Sequence, residues 1–498
     1  MTFSSSGRLL GHTLLFGLAS SCIALPLGWG LAFLLYRSDV AGRRVVRSLF
    51  LGMLFVPIHV QVAAWDAGWG LNGWISQRWR TDLAILQGWT GAVWVHAVTS
   101  VPWVLLILAI GMRRIPGRFE EEALLYGHPG QVLRRVTIPM SAAAIFAGVI
   151  WVFIGAANEI SVTDVYQIPT YAEQIYTGFA LGDNLTEVQN RVLPGSLMIL
   201  AVMGTALFLG RRVSPAGFAA PPAERFVFPL GRWRWMLSLL LMGLVVLLIV
   251  MPLASLCWKA GVVVSPTATG LTRSWSLGRL VSVVVTSPVR FAEELAWSIA
   301  LGQASSLMAV GLAFAIALAR GNRPVRWVGI AFALVGISVP APVLAIVASH
   351  LVSHSGSSIL TYLYDRTIFL AWMVLWIRSF PLAYVLAHAV VGTIDRRLHE
   401  AAAVDGAAWL QRVRTIDLPQ LTSPIIGTWV ICLAWGMTEL SGTILALPPG
   451  ITTLSIRIFN LVHYGVDDQL AGICLIHVIG CGLLAAIGTM MLRGRRMT

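Results

Sequence analysis

The stretch Glu400-Ala401-Ala402-Ala403-Val404-Asp405-Gly406, followed by Ile416-Asp417-Leu418-Pro419, is polar, rich in small residues and wedged between two long apolar runs. A second version lies about 280 residues earlier, as Glu121-Glu122-Ala123-Leu124-Leu125-Tyr126-Gly127 and then Val136-Thr137-Ile138-Pro139. A ten-residue helix rises only about 15 Å, whereas about 20 apolar residues are needed to cross a bilayer. Neither stretch can span. Repeated between spans, they predict two related places where a soluble partner docks.

The surrounding 498 residues are 57% hydrophobic and 11% charged. Soluble domains carry about 25% charged residues, so the balance points to a membrane protein. Apolar runs of about 20 residues recur along the chain, the length of a spanning helix rather than of a ten-residue barrel strand. The expected fold class is all-α and polytopic. Lys259 is the sole lysine among 35 basic residues, and 24 of those residues fall in alternate inter-span segments, 37–47, 113–135, 211–234, 320–326, 396–414 and 493–496. The positive-inside rule assigns these segments to the cytoplasm, so the net charge of +13 sets topology and indicates no nucleic-acid partner. The five cysteines lie in or beside apolar runs without a C-x-x-C pair, which indicates neither a disulfide framework nor a metal site.

Spans are expected at 9–36, 48–70, 88–112, 141–160 and 195–210, then at 291–319, 327–351, 367–391, 421–440 and 468–492, with an additional one at 233–258. That gives about 11 transmembrane helices (10–12), a cytoplasmic C-terminus and a periplasmic N-terminus. The first half covers 1–212 with its inner loop at 113–140; the linker 213–232 is rich in Pro, Ala and Arg; the second half covers 233–498 with its inner loop at 392–419. An outer loop rich in Ser, Thr and Val is expected up to about Arg290. Trp74 and Trp79 suit a membrane-interface segment, and 161–194 forms a polar outer region with Asp164, Glu173, Asp183, Glu187 and Arg191.

The repeat extends past the inner loops. Pro139 precedes Glu159 by 20 residues and Pro419 precedes Glu439 by 20, with Asn158-Glu159-Ile160-Ser161-x-Thr163 matching Thr438-Glu439-Leu440-Ser441-x-Thr443. A constant offset of 279 to 280 implies two tandem homologous halves of one orientation, not an inverted repeat. In each inner segment the carboxylates sit early, where they favour the positive end of a helix dipole. Gly406 permits the positive φ that ends a helix, and Pro419 stands at the expected start of the next span, where its missing N–H costs nothing.

This pattern resembles the cytoplasmic loop of binding-protein-dependent ABC importer permeases, EAA-x3-G-x9-I-x-L-P. Glu400, Ala401, Ala402, Gly406, Ile416, Leu418 and Pro419 fit it throughout. Glu121, Ala123, Gly127 and Pro139 keep it in the first copy, where Glu122 replaces an Ala, Val136 and Ile138 replace Ile and Leu, and the spacing is one residue short. The resemblance implies a type I ABC importer permease in fused two-half form, in the bacterial inner membrane. It implies that each loop forms a coupling helix seated on one of two ABC ATPase subunits, and that a periplasmic binding protein delivers cargo. The chain is then a transport subunit and not itself an enzyme. It has no G-x-x-x-x-G-K-[ST] phosphate loop, so ATP and its Mg belong to the separate ATPase and no cofactor resides here.

Arg378, in Trp376-Ile377-Arg378-Ser379-Phe380-Pro381, is a charge inside an expected span, and either lines the pathway or pairs structurally. Glu159 and Glu439 each lie about 30 Å of helix beyond an inner proline, at the outer mouth, as gate residues or interfacial carboxylates. The segments Thr438–Leu445, Pro448-Pro449-Gly450 and Thr453–Ile458 resemble ferric-iron permeases, which makes ferric iron the expected cargo; thiamine, polyamines, sulfate and phosphonates are the alternatives within the superfamily. His350 and His354 suit a helix-end role better than a metal site. An ion-coupled secondary transporter would want several carboxylates or histidines at mid-membrane, and a membrane enzyme would want acids or histidines clustered in a loop.

Overall fold

In lipid a backbone satisfies its polar groups within its own helix, and the apolar runs do so here. The structure is a computed structural model that describes residues 3–71, 73–78, 86–181, 201, 226–267, 270–319, 322–465 and 467–493. The expected span 195–210, most of the linker, Trp79, Asp183, Glu187 and Arg191 lie outside these residues. Among the described residues seven helices are long and apolar enough to cross a membrane, and up to ten spans result if each of three bent helix pairs counts as one.

The chain forms two units. In the first, α1 (Phe3–Arg37) packs on α4 (Gly88–Met112) and α6 (Ala142–Asn158), with α2 (Arg43–Met53), α3 (Ile58–Trp69) and the loop helix α5 (Gly117–Leu124) between them in sequence. The helix α7 (Tyr171–Ala180) follows. The span α8 (Gly231–Gly261), expected to open the second half, packs in this unit against α3. An antiparallel hairpin, β1 (Val262–Thr267) and β2 (Gly270–Trp275), and helix α9 (Leu277–Arg290) occupy the expected outer loop. The run Val262-Val263-Val264 explains the strand, since β-branched residues suit a pleated ribbon.

In the second unit α10 (Ala292–Leu318) packs on α13 (Phe369–Val391) and α15 (Trp409–Met437), the same three-helix pattern. Ala309, Ala313, Ala383 and Ala387 line its core with Phe314 and Phe380. Without a hydrophobic drive between helices in lipid, such small residues let backbones approach and gain dispersion contact. Between these helices lie α11 (Arg323–Ser338), α12 (Ala341–Ser353) and the loop helix α14 (Arg396–Val404), and α16 (Leu454–Tyr464) follows them.

Two expected spans, 48–70 and 327–351, are not straight. α2 and α3 meet at 108°, and α11 and α12 at 109°. In the second case Pro340 lacks an amide hydrogen and forces Val339 into an extended conformation, φ −79° and ψ 122°. Pro57 stands at the first break. Hydropathy alone cannot register such a turn.

The prolines after the loop helices act differently from the sequence expectation. α15 begins at Trp409, ten residues before Pro419, so this proline lies inside a helix and not at its start. The helix accommodates it with a π-turn over Val413–Asp417, and the first unit has the matching π-turn over Leu133–Thr137 just before Pro139. A proline leaves the carbonyl four residues back without a donor and crowds it; the wider turn relieves both. In the first unit the helix Pro129–Met140 then bends by 63° into α6, whereas α15 continues straight through.

Candidate functional site: two loop helices and a broken span

α14 is capped at both ends by its own sequence. Asp395 accepts a hydrogen bond from the Arg397 amide at 2.9 Å, satisfying one of the free N-terminal donors. At the other end Ala407 donates to the Ala402 carbonyl (2.9 Å) and Gly406 to that of Ala403 (3.1 Å), with Gly406 at φ +79°. This is the Schellman arrangement, which requires a left-handed residue and so favours glycine. The positive φ expected of Gly406 is what the structure contains. Gly127 does not take a positive φ, and α5 ends instead with Tyr126 donating to the Ala123 carbonyl at 3.2 Å. The two loop helices therefore terminate differently.

The remaining motif residues lie on or near a surface. Glu121, Pro139, Glu400, Ala401 and Pro419 are exposed; Ala123, Gly127 and Ala402 are half-buried. Beside them stand bare apolar side chains: Leu125 is 80% and Tyr126 91% exposed at the end of α5, and Val404 is 88% exposed at the end of α14. Phe119 and Leu398, at matching places six residues earlier, are exposed as well. Apolar groups this open beside small residues form a surface suited to a partner.

What holds each loop helix against the base of the next span went unnoticed in the sequence. Thr137 donates to Glu120 Oε1 at 2.7 Å, and Glu120 Oε2 lies 3.0 Å from Arg37 Nη2, with the Arg37 and Glu120 side chains 1% and 0% exposed. Arg37 Nη2 also donates to the Ile115 carbonyl at 3.2 Å. Burial pushes the Glu120 carboxyl above the ordinary carboxylate range, outweighing the Thr137 hydrogen bond and Arg37, which pull it down. In the second unit His399 Nε2 lies 3.1 Å from Asp417 Oδ1. Glu120 and His399 immediately precede Glu121 and Glu400, and Thr137 and Asp417 occupy the variable position of the I-x-L-P segment. That equivalence was the available signal.

Glu159 and Glu439 are helix caps. Glu159 Oε1 accepts from the amides of Ser161 and Val162 (3.1 Å for the latter), at the start of the short helix Ser161–Val165. Glu439 accepts from Gly442 at 2.9 Å and Thr443 at 3.1 Å, at the start of Thr443–Ala446. The hydroxyls of Thr163 and Thr443 donate back to the two glutamate carbonyls. A carboxylate suits such a place because it meets unpaired amides and the positive helix end.

Arg378 lies on α13 and donates from Nη1 to the Gly336 carbonyl at 3.0 Å, at the end of α11 where the span breaks. A helix end within the membrane leaves carbonyls unsatisfied, and Arg378 supplies a donor. Glu439 is near enough to act on it electrostatically. A Cβ on Gly336 would come within 2.5 Å of the Ile377 carbonyl oxygen, so glycine is what lets α11 reach α13. The structure thus gathers Arg378, Glu439 and the break at Val339–Pro340. His350 and His354 stack with ring centroids 4.0 Å apart at the end of α12, His354 Nδ1 lying 3.1 Å from the His350 carbonyl, a helix-end arrangement.

Residues 308–493, which include α13, α14 and α15, match the family described as binding-protein-dependent transport system inner membrane component. The match covers 186 of the 498 residues. It contains the second loop helix and the broken-span cluster; the first loop helix lies before it. The trehalose transport system permease protein SugB of Mycobacterium tuberculosis is 25% identical over 146 residues, covering 29% of this chain and 49% of that protein. The sulfate transport system permease protein CysW of Escherichia coli is 28% identical over 162 residues, 31% of this chain and 53% of its own length. The putrescine transport system permease protein PotI of Escherichia coli is 26% identical over 119 residues, 23% and 42% respectively. The chain spans about half the length of these relatives.

Proposed function

We propose that this chain is the membrane-spanning permease of an ATP-driven ABC importer, with both halves fused in one polypeptide in a bacterial inner membrane. The observation that carries the reading is the pair of loop helices. Each exposes apolar residues at its end, each is tied by a buried polar contact to the next membrane helix, and each is followed by a π-turn and a proline. A rigid tie of this kind transmits displacement. A partner that moves α5 and α14 moves α6 and α15 with them.

In this reading the loop helices face the cytoplasm and seat on two ATPase subunits that hold ATP and Mg. A periplasmic binding protein docks at the opposite ends of the spans and releases a small solute. ATP-driven closure of the ATPase pair shifts the permease between outward-open and inward-open states through its differential affinity for the two. Arg378 and Glu439 stand beside the break in the second unit where a pathway would open, and Glu159 holds the matching turn in the first. Ferric iron is the cargo favoured by the segments Thr438–Leu445 and Thr453–Ile458. A second reading, an oxyanion such as sulfate, is favoured by the positive charge of Arg378 at the break and by the likeness to CysW.

Purification of the full chain from its native host tests the reading. An ATPase subunit should co-purify, and iron-loaded binding protein should stimulate its hydrolysis in proteoliposomes. Stimulation by a sulfate-loaded binding protein instead would transfer the cargo assignment. The absence of any associated ATPase, together with transport driven by an ion gradient, would overturn the importer.

A further inference from the structure

The first unit holds a cleft of about 910 Å³ at the end of α8, remote from Arg232 and Arg234 where that span begins. Its wall is a row of three indoles. Trp74 and Trp258 have ring centroids 5.3 Å apart, and Trp258 and Trp275 lie 6.4 Å apart and nearly parallel at 17°. The row is built in: Trp74 Nε1 donates to Ser255 Oγ at 3.2 Å, and Trp275 covers Gly261 so closely that a Cβ there would lie 2.3 Å from its ring nitrogen. Among the described residues, Arg78, Lys259, Arg273 and Arg279 line the same cleft with one carboxylate, Asp468. Arg273 is oriented by Gln77 Oε1 at 2.6 Å and Arg279 by Asp468 at 2.6 Å, so both guanidiniums are fixed at the rim. The indoles and the four cations lie outside the loop helices and before the matched residues 308–493, within which Asp468 falls.

We infer that this cleft binds the phosphate headgroup of an anionic phospholipid. The cations supply the charge complement to a phosphodiester, and the indole faces take the glycerol and first acyl carbons, the amphipathic task that tryptophan performs at membrane interfaces. Membrane origin follows from the span that carries the site. Along α8, Leu239, Met242, Val246 and Val250 are all exposed. That helix faces lipid, so its end lies at headgroup level with the cleft opening beside it. The chain's sole lysine, Lys259, lies one helical turn from Ser255, which anchors Trp74.

The test is native mass spectrometry of the full chain in detergent, titrated with phosphatidylglycerol, with phosphatidylcholine, or with soluble sn-glycerol 3-phosphate. Phosphatidylglycerol should bind more tightly than phosphatidylcholine, and Arg78→Gln and Lys259→Gln should each weaken it about fivefold, the effect of one basic group near an anionic headgroup. Trp258→Leu should weaken both lipids. Circular dichroism and gel filtration identify variants that fail to fold; Arg78→Gln, at an exposed position, keeps the test open if the others do. Equal affinity for both lipids, or unchanged phosphatidylglycerol binding in folded Arg78→Gln and Lys259→Gln, would overturn the assignment. Tight binding of glycerol 3-phosphate with no preference for the lipid would overturn it in favour of a soluble anion.

Discussion

Arg37 and Glu120 form a fully buried charge pair in the first unit, and its energetics set a residue-scale prediction. Removing one partner of a buried pair leaves the other charge uncompensated, which costs about 3–5 kcal/mol. Arg37→Ala should therefore lower the thermal unfolding midpoint in detergent substantially. Its pH dependence has a defined sign. The folded Glu120 carboxyl is held above its unfolded value by burial, so folding takes up a proton and the group's contribution to stability falls as pH rises between the two values. Without Arg37 that rise is larger, and the defect of Arg37→Ala should shrink as the solution is acidified toward the point where Glu120 is neutral. A defect that grows on acidification would contradict a carboxyl raised by burial. Arg378→Leu makes a second case: it strands the Gly336 carbonyl at the break, at a cost of about 1–3 kcal/mol, measurable as a lower unfolding midpoint. Unchanged stability would mean that this hydrogen bond does not hold the break.

At the scale of elements, the approach of α11 to α13 depends on Gly336. Gly336→Leu must push against the Ile377 carbonyl and the Pro381 ring, both under 3.0 Å from where its Cβ would lie, and overpacking of this sort costs about 1–3 kcal/mol. A stability loss confined to hydrogen exchange in α11, α12 and α13 is the expected signature; a loss spread evenly over the chain would contradict it. Elements also show where sequence reading succeeds. The C-terminal turn of α14 was legible because Gly406 follows a run of helix formers and only a left-handed residue closes that motif. The positions of Glu159 and Glu439 were legible as a repeat, but their capping role was not, since it depends on amides two to four residues on that meet the carboxylate only after the helix ends. The breaks at Pro57 and Val339–Pro340 were hidden because hydropathy registers burial and not direction. The π-turns escape for a related reason: a proline just before an apolar run looks like a helix start unless the preceding turn is known to be helical. Arg37 was read as topology charge because its partner lies 83 residues away.

Across the whole molecule the two units repeat one internal plan. α1 packs on α4 and α6 as α10 packs on α13 and α15, and the helices α7 and α16 are pinned alike, the Tyr171 amide donating to Thr13 Oγ1 at 2.9 Å and the Leu454 amide to Ser298 Oγ at 2.8 Å. Yet the loops differ: the second has the intact motif, the Schellman end and the His399–Asp417 contact, the first a shortened motif and the buried Arg37–Glu120 pair. Docking should be unequal. Val404→Glu, placing a charge on the exposed end of α14, should reduce ATPase co-purification more than Leu125→Glu at the end of α5; equal losses would argue that both loops contribute alike. The central claim, that α14 transmits ATPase movement, is tested most directly at Gly406. A valine there must hold a left-handed conformation at a cost of about 1–2 kcal/mol, or the helix end must reorganise. In proteoliposomes with the partner ATPase and cargo-loaded binding protein, Gly406→Val should abolish cargo-stimulated ATP hydrolysis while the permease remains folded. Hydrolysis stimulated to the level of the unaltered chain would contradict the account.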